Sequence, residues 1–344
     1  MVARRMTKVL LLCAAVMGLT TLLPDVGHAR GKRKQFKIAT LAPKGSTWYK
    51  VLKAGDRRLR KLSGGKMSFK IYPGGVAGDE ADIVRKMRIN QLQGAALTSV
   101  GLAEIQPDLL VLQAPGLFNN WSELDHVRNR LKDEFRKLLA DKGFYPLAWG
   151  DVGFNRIFSD QPVRVPAELA QTKPWCWTQD GMYRAYFDAI DAKPVMLGVP
   201  EVLPGLQTGL INSFATAPLA SLALQWYTRA NYMLDLRVGV TIGAAVITQA
   251  AVDKLSDEER GWLEQVGKEL GEQLKSLVRS GNDDAIAAMK KAGLKLTAVG
   301  PEETKAWQTV AVKTRKQAAG KVYPVALLAE VEGALKEYRS SGGQ

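Results

Sequence analysis

The sequence predicts an α/β fold on a mixed, mostly parallel sheet, and three observations carry that expectation. From residue 36 onward, short apolar runs alternate with amphipathic stretches of helical spacing. The connections are brief and turn-forming, as in Ser63-Gly64-Gly65 and Pro73-Gly74-Gly75. Residues 163–218 then repeat strand, helix and strand, the grammar of a parallel α/β unit, whose ligands sit beyond the C-terminal ends of the strands.

In chain order, 36–41 alternates as a strand, and Ser46 or Thr47 can cap a helix whose apolar positions are Trp48, Val51, Leu52, Leu59 and Leu62. A strand at 67–72, a helix at 79–90 and a short strand at 95–98 follow, the last running into Ser99-Val100-Gly101. The apolar stretch 107–118 leads to one amphipathic helix over 122–142, on which His126 reads as a surface residue. A strand at 144–150 arrives at Trp149-Gly150-Asp151-Val152-Gly153-Phe154, where a change of lobe is expected before a new strand series from 155. A strand ends in Pro174-Trp175-Cys176-Trp177, with a helix from Gly181, a strand at 194–197, a short helix near 203–208 and a strand at 210–214. A helix at 219–229, strands at 232–236 and 241–248, a long helix over 256–292 opened by a capping box at Ser256, a strand at 294–298 and two final helices complete the chain.

The N-terminus reads as a targeting segment. Arg4, Arg5 and Lys8 precede an apolar run over 9–23, and Gly27-His28-Ala29 offers a small-residue exit, so an export signal cut after Ala29 is expected. Leu12 before Cys13 argues against a lipid-modified cysteine. Removing 1–29 takes away three basic side chains and one acidic one, turning a net charge of +14 into +12. That charge is spread over helices interleaved with Asp and Glu, which speaks for solvated faces rather than nucleic-acid binding; only residues 30–34 cluster as a basic arm. Cys176 is then the sole cysteine, so no intrachain disulfide forms, and it reads as a buried inert thiol.

Catalysis finds no footing. One histidine outside the signal and one cysteine between tryptophans give no nucleophile–base arrangement, and no metal-ligand spacing or phosphate-binding glycine loop occurs. No cofactor and no metal are expected.

The ordered landmarks APKGSTWYK, YPGGVAGDEADIVRKMR, ALTSVG, LLVLQAPGLF, WGDVGFNRIF and LQTGLINSFATAP resemble the substrate-binding P subunits of tripartite ATP-independent periplasmic (TRAP) transporters, the DctP-type family, over residues 36–338. The resemblance implies a two-lobed periplasmic-binding-protein fold with crossing hinge strands and a long bridging helix. It implies a signal peptide at 1–29, one lobe from 30–151 plus 239–280 and the other from 152–238 plus 281–344. The ligand would close between the lobes and pass to a TRAP membrane permease in the periplasm.

The departures from the family pattern shape the expected site. By that alignment, Trp175 stands where relatives keep a carboxylate-binding arginine, with Trp177 two residues on; a second family arginine falls at Asn155, beside Arg156. The expected ligand-binding set is Trp48, Ser99, Trp149, Phe154, Asn155, Trp175, Trp177, Tyr183, Phe214 and Thr216. An indole is a single N–H donor and offers chiefly an apolar face, so an apolar or amphipathic ligand is expected. One branch of the family, associated with a tetratricopeptide-repeat partner, has P subunits of this kind. Two alternatives stay open: an organic acid held by Arg156 or Arg184, and an envelope interaction protein that keeps the fold without transport.

Overall fold

The computed structural model describes residues 33–342, so the expected export signal, Cys13 and residues 30–32 of the basic arm lie outside the described residues. The chain enters through β1 (Lys34–Thr40), and the Ser46 hydroxyl accepts the Tyr49 amide at 3.4 Å to start α1 (Thr47–Leu62). β2 (Met67–Tyr72), α2 (Glu80–Arg88), β3 (Gly94–Thr98) and α3 (Ser99–Ile105) follow, with β1 parallel to both β2 and β3. The apolar stretch coils into a 3-10 segment at Pro107–Gln113.

The single helix expected over 122–142 is two, α4 (Trp121–Arg130) and α5 (Lys132–Ala140). The break at Leu131 serves two packing directions: α4 lies against the C-terminal helix, whereas α5 buries Phe135 and Leu139 toward the next strand. His126 is half-buried rather than on the surface, its ring 4.8 Å from that of Tyr338. The strands expected at 144–150 and from 155 are one continuous β4 (Phe144–Ser159).

The second series comprises α6 (Pro166–Ala170), β5 (Trp175–Trp177), α7 (Gly181–Ala189), β6 (Val195–Leu197), α8 (Val199–Thr208), β7 (Ser213–Thr216) and α9 (Pro218–Ala223). The helix expected over 219–229 stops early because Gln225 takes a left-handed conformation (φ 61°), and Trp226–Arg229 restarts as a 3-10 turn. β8 (Tyr232–Leu234), β9 (Gly239–Thr248), α10 (Gln249–Val252), α11 (Asp257–Lys291), β10 (Lys295–Thr297), α12 (Pro301–Ala318) and α13 (Val325–Ser340) end the described chain.

The main sheet runs β10-β8-β4-β9-β3-β1-β2, with β7 also on β4, and β5 pairs β6 in a small parallel sheet. Its parallel pairs lie at the two ends, whereas β4 and β9 cross the middle antiparallel, from Phe144↔Thr248 to Asn155↔Gly239. The crossing carries a bulge between Asp151 and Gly153. Gly153 sits at φ 148°, and a Cβ there would lie 2.7 Å from both Ala217 Cβ and Asn282 Oδ1. Only glycine meets that backbone and that approach without strain.

The 35-residue α11 opens on the expected Ser256 capping box and at 1.5 Å per residue is about 52 Å long. It lies along α1, β4 and α9. Asn282 stitches it to the bulge, donating to the Val152 carbonyl at 3.1 Å and accepting the Leu219 amide at 3.1 Å. Among the described residues no helix is long and apolar enough to cross a membrane.

Candidate ligand cavity

The C-terminal ends of β1, β3, β5 and β7 converge on one cavity of about 150 Å³, walled also by the middle of β4 and β9, by α9 and by Leu274 of α11. An apolar void near this volume accepts a benzene-sized molecule. β1 and β5 run into short loops there, whereas β3 passes directly into α3 and β7 reaches α9 after Ala217 alone, so the crevice lies at the strand-to-helix corners.

Four tryptophans shape it: Trp48, Trp175, Trp177 and Trp226. Trp226 packs edge-on to Trp175, with ring centroids 5.0 Å apart, and Trp175 lies 6.1 Å from Trp177. The protein itself consumes three of the indole N–H groups. Trp48 donates to the Asp151 carbonyl at 3.1 Å, Trp175 to the Leu197 carbonyl at 3.0 Å, and Trp177 to Asp79 Oδ2 at 2.8 Å. What those rings leave to the cavity is their apolar surface.

Among the described residues, no Arg, Lys or His lines this cavity; the ionisable groups there are Glu80, Asp151, Asp180 and Tyr183. The Asp151 carboxylate is spent on Arg128 and Arg279, each at 2.7 Å. Arg279 and Arg128 also grip Asp125, with Lys275 at 2.8 Å. Burial raises the Asp125 carboxyl, yet those hydrogen bonds and charges outweigh it and hold the group well below its usual range.

Glu80 accepts the Thr98 amide at 2.8 Å, the Thr98 hydroxyl at 2.7 Å and the Gly101 amide at 2.7 Å. Full burial dominates those bonds and pushes its carboxyl up to about 7. Asp180 accepts the Met182 and Tyr183 amides and Gln113 Nε2, and burial again lifts it above the usual carboxylate range. Behind the wall, Ser99 donates to Gln113 Oε1, and Asn155 donates to the Tyr183 hydroxyl at 3.0 Å while exchanging bonds with Thr241. A carboxylate entering this cavity would meet acids and no countercharge.

Of the expected site residues, Trp48, Trp175, Trp177, Tyr183 and Thr216 line the cavity. The other five do not. Ser99 is fully buried at the start of α3, and Asn155 supports the wall from behind. Trp149 packs edge-on to Phe135 at 6.3 Å, and Phe154 is covered by Trp121 at 4.5 Å. Phe214 stacks on Phe158 at 5.0 Å in the core beneath Trp226. Strand parity explains Phe154: alternate residues of β4 face opposite ways, and Asn155 holds the cavity side.

Neither alternative arginine reaches this cavity. Arg184 is exposed and donates to the Thr178 carbonyl at 2.8 Å, and Arg156 lines a different recess. Sequence reasoning missed Trp226, Glu80 and Asp180. Trp226 follows the left-handed Gln225, which no periodicity reveals; Asp180 was legible as a residue just past the end of β5, whereas Glu80 opens α2 and only the fold brings it to the end of β3.

The family model for bacterial extracellular solute-binding protein family 7, DctP, matches residues 38–321. The chain belongs to this family. The solute-binding protein is 23% identical over 295 residues to the C4-dicarboxylate-binding periplasmic protein DctP of Rhodobacter capsulatus, covering 83% of this chain and 85% of the relative. It is 22% identical over 240 residues to the 2,3-diketo-L-gulonate-binding periplasmic protein YiaO of Escherichia coli, covering 69% and 73%. Among solved structures, the sugar acid binding protein DctPAm of Advenella mimigardefordensis in complex with galactonate aligns with a TM-score of 0.84 at 18% identity, over 89% of this chain and 99% of that one. A TRAP periplasmic solute-binding protein of Ralstonia eutropha with bound (S)-2-acetolactate aligns at 0.82 and 20% identity, over 88% and 99%.

Membership makes the two-lobed architecture, with β4 and β9 crossing and α11 bridging, that of a TRAP transporter substrate-binding protein. Such proteins bind small molecules, are not enzymes, and work in the periplasm with a TRAP membrane permease.

Proposed function

We propose that this protein captures an uncharged, largely apolar small molecule in the tryptophan-walled cavity and presents it to its TRAP permease. One observation carries the reading: among the described residues, the cavity is lined by four tryptophans and several acids but by no cation. A carboxylate stripped of water without a cationic partner is penalised by several kcal/mol, roughly 2–5 when such a partner is removed from a buried pair. An apolar group gains roughly 25 cal/mol for each Å² it buries.

The lobes divide at the Asp151–Gly153 bulge, with 30–151 plus 239–280 on one side and 152–238 plus 281–344 on the other. Residues 1–29 direct export and are removed after Ala29. The wall residues Trp48, Trp175, Trp177, Tyr183 and Thr216, together with Trp226, contact the ligand, and Asn155 holds Tyr183 in place.

The competing reading, an organic acid, draws on the relatives: one is named for C4-dicarboxylates, and one was solved with galactonate. Native mass spectrometry of the full chain purified from its host, followed by organic extraction, separates the two. A neutral, hydrophobic co-purifying molecule is expected. Recovery of a dicarboxylate or sugar acid at stoichiometric occupancy, with no neutral molecule beside it and with its occupancy unchanged in Arg156→Gln, would refute the proposal.

A further inference from the structure

A second recess of about 680 Å³ lies apart from the cavity and shares no lining residue with it. That volume falls inside the range of roughly 300–1,000 Å³ typical of small-ligand pockets. Its charge is opposite in character: Arg156, Arg237 and Arg315 face it, against Asp235 alone.

The same strand parity that turns Asn155 toward the cavity turns Arg156 toward this recess, on the side of Phe154. The Phe154 ring carries the Arg237 guanidinium 4.7 Å above its centroid. Arg156 is largely buried, its side chain 14% exposed, and among the described residues its one ion pair is Asp235 at 3.2 Å. A guanidinium has five N–H donors, so most of its capacity is unspent on protein. Arg237 and Arg315 each donate to one carbonyl, of Asn119 and Pro115, which pins loop 115–119 to the recess. Glu332 offers Arg315 only a 3.5 Å approach from a half-exposed position. Two further features favour a ligand. Among the described residues the buried Tyr186 hydroxyl has no hydrogen-bond partner at the recess border, and Trp307 gives the recess an indole wall while its own N–H is held by the Arg164 carbonyl.

We propose that this recess is a second binding site, for a small organic carboxylate whose charge is taken by Arg156 with Arg237 and Arg315 and whose apolar body lies on Trp307. The three guanidinium groups outnumber the acids facing them, and a partly buried cation held by one acid gains a better-desolvated partner when a carboxylate enters. The first cavity excludes the same ligand for lack of any countercharge.

Isothermal titration of the full chain with hexanoate, and with hexanamide as its neutral counterpart, tests the assignment. Hexanoate binds and hexanamide does not, and the affinity falls with added salt. Arg156→Gln weakens hexanoate roughly thirty-fold or more, the loss expected when one partner of a desolvated charge pair is removed. Arg237→Gln, at an exposed residue, weakens it in the same direction and keeps the test alive if Arg156→Gln does not fold. Ala223→Leu, which fills the first cavity, leaves hexanoate affinity unchanged. The inference is overturned if the wild type takes up no hexanoate at millimolar concentration, as expected of a pocket kept for an acidic side chain of a partner protein. It is also overturned if both arginine variants bind like wild type. Loss of binding in Ala223→Leu alone would place the anion in the first cavity, overturning this inference and the uncharged-ligand reading together.

Discussion

Truncating Trp175 probes the cavity wall where its character is set. The ring is 7% exposed, edge-on to Trp226 at 5.0 Å, and its N–H is held by Leu197. Trp175→Ala costs about 3 kcal/mol of folding stability, the low end for a buried aromatic, because the site already opens on a void. It also strips the ligand of an apolar face worth about 2 kcal/mol, roughly a thirty-fold loss of affinity. Trp175→Phe keeps a ring and leaves the Leu197 carbonyl without its donor, a loss of about 1 kcal/mol. Urea unfolding with benzyl alcohol as the neutral probe reads both effects. At a probe concentration a hundred times the wild-type Kd, ligand stabilisation is about 2.7 kcal/mol for the wild type and falls to about 0.9 kcal/mol in Trp175→Ala. Trp175→Phe lies between them. The reasoning fails if benzyl alcohol stabilises none of the three proteins, or stabilises wild type and Trp175→Ala equally.

Two other expectations concern the frame around the cavity. Glu80 titrates at about 7 in the fold against an ordinary 4.5, so the folded state holds its proton more tightly than the unfolded chain. The resulting stability is fully present below about pH 4.5 and is lost as pH rises through 7, an amplitude of about 3 kcal/mol. Urea unfolding from pH 4 to 8 should show wild type losing that amount relative to Glu80→Gln, and a pH-independent difference would contradict the assignment. At the lobe crossing, Gly153→Ala must take φ 148° and crowd Ala217 and Asn282, costing at least about 2 kcal/mol. Gly150→Ala has ordinary backbone and meets only the Leu274 side chain at 3.0 Å, so its shift in urea midpoint should be clearly the smaller.

Much of the fold was legible in the sequence because local rules govern it. Periodicity placed β1 through β3 and α11 within a few residues, and the capping signals at Ser46 and Ser256 are the ones used. The tryptophan pair at 175 and 177 shares a strand face, so both had to meet the same environment. Local rules stop where tertiary packing takes over. The break at Leu131 depends on α4 and α5 meeting different neighbours, and the early end of α9 depends on one left-handed residue.

What the sequence determined by itself was the alternation of strand and helix, the aromatic content of the strand ends and the absence of catalytic groupings, since each follows from residue type and spacing. Only the tertiary structure decided which side chains share a space. β4 turns Asn155 to the back of one cavity's wall, against Tyr183, and the adjacent Arg156 into a separate recess, so neighbouring residues serve a wall without cations and a recess with three. Burial then acted on Glu80 and Asp180 in a way no window of sequence contains, because the dielectric around a carboxylate is set by segments far apart in the chain.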